Sequence, residues 1–115
     1  PGSALAKYVT KRVVLNEAAD GIRIIMDTVR PSQTEILLYV KTAATEEQIE
    51  SLAWTPVPPV SSIPFSDNAD NFNEVEFFLD PDQNFSVFET KIVLKSRNSS
   101  RVPLVRDLRI ITLAP

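Results

Sequence analysis

The chain has 115 residues, 43% of them apolar, enough for one core and too few for a second. It holds no cysteine and no histidine. Disulfide stapling, the commonest zinc ligands, the usual general base and the Ser-His and Cys-His nucleophile pairs are therefore excluded, and a non-enzyme is expected. The net charge of −3 is split along the chain: residues 1–41 carry +2, residues 42–90 carry −10 without a single basic group, and residues 91–115 carry +5.

Such a split can mark a basic end that attracts nucleic acid or an anionic membrane. It can equally mean that acidic and basic strands meet within one fold, or that the surface is two-toned. The acidic balance overall favours this second reading. No stretch approaches the run of about eighteen apolar residues that crosses a bilayer. Pro1-Gly2-Ser3 lacks the basic-then-apolar start of a signal peptide and reads as the remnant of a cleaved expression tag. Residues 4–115 are then expected to be one domain, a fragment of a longer chain.

Period-two alternation dominates. Tyr8–Leu15 reads as a strand with Val9, Val13 and Leu15 on one face. Asn16–Gly21 reads as a turn, after which Ile22, Ile24 and Met26 alternate with Arg23, Ile25 and Asp27. Pro31-Ser32-Gln33 breaks the chain before a third strand, in which Ile36, Leu38 and Val40 oppose Glu35, Leu37, Tyr39 and Lys41. Thr45–Ala53 gives the only helical signal, a helix of one to two turns: Thr45 with Gln48 fits a capping box, and Ile49 and Leu52 lie one turn apart.

Pro56, Pro58, Pro59 and Pro64 suit an edge strand or a crossing loop. Asp67–Asn71 is a polar loop. In Glu74–Leu79, Val75, Phe77 and Leu79 point inward and Glu74 and Glu76 outward, with Phe78 an apolar exception on the outer face. Asp80–Asn84 has the composition of a turn. A long strand, Phe85–Lys95, precedes a turn at Ser96–Ser100, and Leu104–Leu113, in which Leu108 and Ile110 alternate with Arg109 and Ile111, closes the chain. Seven or eight short strands without crossover helices predict an antiparallel β-sandwich or jelly roll with one short helix.

Three segments carry a resemblance. They are Lys7–Leu15 followed by Ile22–Met26; Thr34–Lys41 with Trp54 downstream; and Phe88–Ser96 followed by Val102–Ile110, which includes Pro103-Leu104-Val105-Arg106-Asp107-Leu108-Arg109. Together they resemble a β-sandwich module of tailed-phage virion structural proteins, in particular baseplate and tail-fibre components of T4-like phages. The closing half is also similar to galactose-binding-like jelly rolls. The phage resemblance implies a structural or attachment module located in the virion. Its partners would be other virion proteins or further copies of its own parent chain, with no cofactor, no nucleic acid and no membrane.

Possible contact residues are Trp54, Asp67, Asp70, Asn71 and Phe78. Trp54, the only tryptophan, could present a face on which a glycan ring stacks, or could cap one end of the core. Asp67–Asn71 and Asp80–Asn84 could offer oxygens to Ca²⁺, yet neither has EF-hand spacing and both suit ordinary turns. Glu74 and Glu76 stand about 7 Å apart on one strand face, a separation that glycoside hydrolysis can use, although glutamates alternating with apolar residues also describe a solvated sheet face. Arg106 and Arg109 lie an odd number of steps apart and so are expected on opposite faces of their strand. Arg106 and Asp107 are expected to pair across the sheet with Glu74–Asp80.

Overall fold

The computed structural model describes residues 4–115; Pro1-Gly2-Ser3, read above as a tag remnant, lie outside the described residues. The order is β1 (Ala4–Val9), β2 (Val13–Ala19), β3 (Gly21–Val29), β4 (Thr34–Ala43), α1 (Glu46–Ile49), β5 (Thr55–Val57), β6 (Asn73–Leu79), β7 (Phe85–Ser96) and β8 (Leu104–Leu113). All pairings are antiparallel, and the strands form two packed sheets, the all-β sandwich that the alternation predicts. The first sheet runs β1-β7-β4-β5, with β2 also on β7, so β1 and β2 share one edge in succession. The second runs β6-β3-β8. The domain measures 44 × 25 × 20 Å.

The core lies between the sheets. Ile22, Ile24 and Met26 of β3 and Val75 and Phe77 of β6 meet Ile36, Leu38 and Val40 of β4 and Phe88, Ile92 and Leu94 of β7. Fully burying such a side chain contributes about 1.5–3 kcal/mol, so these alternating positions dictate which face of each strand turns inward. Among the described residues, no buried side-chain nitrogen or oxygen lacks a hydrogen-bond partner.

Three local expectations change. Tyr8–Leu15 is not one strand: it breaks at Thr10–Arg12, where the Thr10 hydroxyl lies 2.8 Å from that of buried Thr90 and accepts the Thr90 N–H at 3.1 Å. The break resets the alternation. Val9 pairs with Lys91 and is 57% exposed, whereas Val13 and Leu15 pack against the core. Asn16 and Glu17 belong to β2 rather than to a turn, because an edge strand leaves polar side chains in water at no cost, and the reversal shortens to Asp20. Thr45–Ala53 yields one helical turn, Glu46–Ile49, whose Thr45 makes no capping bond through its side chain. Ile49 is fully buried on the outer face of the first sheet against Ala43 and Val87, but Leu52 is 40% exposed.

The proline-rich segment behaves as its chemistry requires. Thr55–Val57 is a three-residue edge strand on β4. Pro59 bridges to Phe77, and the Val60 N–H donates to the Glu76 carbonyl at 2.8 Å, so the crossing segment covers the free side of β6.

Candidate functional site

Trp54 follows α1 and stands half-buried on the outer face of the first sheet. The Lys41 and Lys91 ammonium groups each lie 4.8 Å from its ring centroid, and Lys91 is also 4.7 Å from that of Tyr39. Tyr39 and Lys41 alternate with the core positions of β4, and Lys91 is opposite Tyr39 on β7, so the strand period itself gathers this cluster. Beside it, the Arg12 guanidinium donates to Glu89 at 2.9 Å and to Glu50, and lies 3.8 Å from Glu46. These bonds, to Glu50 first, raise the Arg12 pKa, and the same bond holds the Glu50 carboxyl below its ordinary value. One arginine from the β1–β2 break thus fastens α1 to β7.

The other expected contacts lie elsewhere. Asp67 accepts from Arg101 at 3.0 Å, tying its loop to the turn before β8. Within the loop, the Asn68 side chain accepts the Asp70 N–H at 2.9 Å and its carbonyl accepts the Asn71 N–H at 2.9 Å, the bonding of an Asx turn. Among the described residues, no group of three or more carboxylate, histidine or cysteine side chains is disposed to hold a metal. Phe78 lies 42% exposed on the outer face of the second sheet, near Gly21 and Leu113. Trp54, the Asp67–Asn71 loop and Phe78 therefore occupy three separate regions and do not converge.

Glu74 and Glu76 border a shallow depression of about 340 Å³ beside Val60–Pro64, and each is held by an arginine. Glu76 accepts from Arg23 at 3.0 Å, which raises the Arg23 pKa, and Glu74 accepts from Arg109 at 3.4 Å. Arg106 and Arg109 prove to share a face. Two β8 residues, Asp107 and Leu108, stand against Met26 alone between the Ile25–Arg109 and Asp27–Arg106 pairs, and Asp107 adopts φ 55°, so a bulge restores both arginines to the side of Asp27. Asp27 takes Arg109 at 3.2 Å and Arg106 at 4.0 Å. Arg106 thus pairs with Asp27 on the intervening strand β3, and it is Arg109 that reaches β6.

One feature had no sequence signal. The first sheet is four strand positions wide and the second three, so β1 extends past β8 and its core-side face is uncovered. Tyr8 and Ala6 are opposite the buried Ile92 and Leu94, yet Tyr8 is 61% exposed. An apolar groove of about 240 Å³ opens there between Leu5, Ala6 and Tyr8 on one side and Val102, Pro103 and Leu104 on the other. Leu5 is 64% exposed along it. The number of strands in each sheet, which creates this gap, is set by the global pairing and leaves no mark on local alternation.

No protein-family model matches the chain, no curated protein matches it, and no solved structure matches it.

Proposed function

We propose that the chain is a non-catalytic structural and protein-interaction module of a phage virion, a component of a tail, baseplate or fibre. The strand pattern of Lys7–Leu15, Thr34–Lys41 and Phe88–Ile110 supports the virion part of this reading. The observation that carries the interaction part is the open side between β1 and β8, where apolar side chains and unpaired strand edges remain available after the core is complete. Antibodies against the domain, applied as immunogold to purified particles of the phage that encodes it, are expected to label tail, baseplate or fibre. Protein abundant in infected cells but missing from washed particles would overturn the proposal.

A second reading, a carbohydrate-binding module, is favoured by one observation: Trp54 and Tyr39 lie on the same sheet face with Lys91 against both rings and Lys41 against Trp54. An aromatic pair flanked by cations suits a sugar ring bearing a carboxylate. A glycan array discriminates the two, since this reading requires saturable binding that disappears in Trp54→Ala.

A further inference from the structure

We infer that β1 is a receptor edge, which pairs antiparallel with an extended partner segment of alternating apolar and acidic residues. The inference rests on reading the chain as an interaction module. Every other edge of the sandwich is blunted. β5 is three residues long and contains Pro56. β6 is covered by Pro59 and Val60. β2 slips register between Val14 and Ala19. β8 carries the Asp107 bulge, whose carbonyl accepts from the Arg109 Nε at 3.2 Å. These are devices by which sheets avoid unwanted pairing. β1 has no proline, bulge, register slip or covering segment, and its one edge charge is Lys7: its six residues pair with β7 without a shift.

The register says which backbone groups are available. The Thr10 N–H donates to the Thr90 carbonyl at 2.9 Å. Because antiparallel bonding alternates, Ala6 and Tyr8 also direct their backbone groups to β7, while Leu5, Lys7 and Val9 direct theirs to the open edge. A strand added there would place one set of side chains over the groove at Ala6, Tyr8, Val102 and Leu104, which demands apolar residues. Its other set would lie on the outer face beside Lys7, with Lys95 one strand further in, which favours carboxylates. Neither lysine forms an ion pair among the described residues. A second copy is disfavoured at this edge, since β1 against β1 would bring two such lysine rows together.

The probe is the peptide acetyl-(Val-Glu)₄-amide, titrated against the full chain and followed by anisotropy and amide shifts. It is expected to saturate and to perturb Leu5, Lys7 and Val9 first. Lys7→Pro removes an edge-facing N–H and leaves the β7 ladder intact, as proline at a solvent-facing edge position does; it should weaken binding at least about tenfold. Lys7→Ala keeps the N–H and should cost less than about fivefold, the worth of an exposed ion pair. As a control independent of protein stability, N-methylation of the peptide's glutamates, which would bond β1, should abolish binding, and N-methylation of its valines should not. Equal binding by Lys7→Pro, or by the glutamate-methylated peptide, overturns the inference. So does a lysine-for-glutamate peptide that binds as well, or a dimer of the chain that Lys7→Pro dissolves. Any of these results on a domain that immunogold places in the particle leaves the virion reading standing.

Discussion

Asp107 shows how one backbone conformation redirects a strand. Its positive φ inserts an extra residue opposite β3, and Arg106 and Arg109 then share Asp27. An L-residue other than glycine, asparagine or aspartate pays about 1–2 kcal/mol to hold this conformation. Asp107→Val is therefore expected to lower the unfolding free energy read from urea titration by an amount in that range, whereas Asp107→Gly should keep or raise it. The mutant arginines offer a second check: if β8 regularises in Asp107→Val, Arg106 and Arg109 move to opposite faces and the Asp27 contacts to one of them disappear from the spectra. Residues of this kind are the hardest to read in sequence, since Asp107 sits inside an otherwise ordinary alternating run. The odd spacing of Arg106 and Arg109 is informative only once the bulge is known.

At the scale of elements, α1 depends on few contacts. A four-residue helix cannot persist on its own bonds; it is held by fully buried Ile49 and by Arg12, which gathers Glu46, Glu50 and Glu89. The Glu50 carboxyl is depressed by its hydrogen bond to Arg12, then by that charge, with a smaller contribution from Lys41. A group depressed in the folded state stabilises above its unfolded value of about 4.5 and loses that contribution as pH falls through the lower folded value. On acidification, α1 is thus expected to loosen before the sandwich unfolds. The Ile49 methyl resonance should shift below about pH 4.5 while those of Ile24 and Phe77 hold, and in Arg12→Gln this acid-dependent step should vanish. The helix was visible in the sequence as a polar, Thr-led interruption of one to two turns, and the shorter length is the one that forms. Leu52 matched the helical period, and only the absence of a second surface to cover it ended the helix early.

Across the whole molecule, the legible part was what alternation encodes: β3, β4, β6 and β7 with their inward faces, the course of β8 but not its faces around the Asp107 bulge, and Phe78 as an outward exception. Trp54 was recognisable as unusual, yet its companions Tyr39, Lys41 and Lys91 come together only through the β4–β7 register. The open side at β1 was illegible for a topological reason, since no local pattern counts strands per sheet. That same pairing has a mechanical side. β1 starts at Ala4 opposite Ser96, and β8 ends at Leu113 opposite Gly21, so the two positions stand at opposite ends of the long axis. Tension applied between them pulls β1 along β7 and β8 along β3, loading each ladder of hydrogen bonds in parallel rather than peeling it open bond by bond. Single-molecule extension between residues 4 and 113 should meet a higher rupture force than extension between residues 4 and 96, which stand side by side and unzip β1 from β7. A module loaded in this direction resists a stretch that would unravel the same strands pulled from one end.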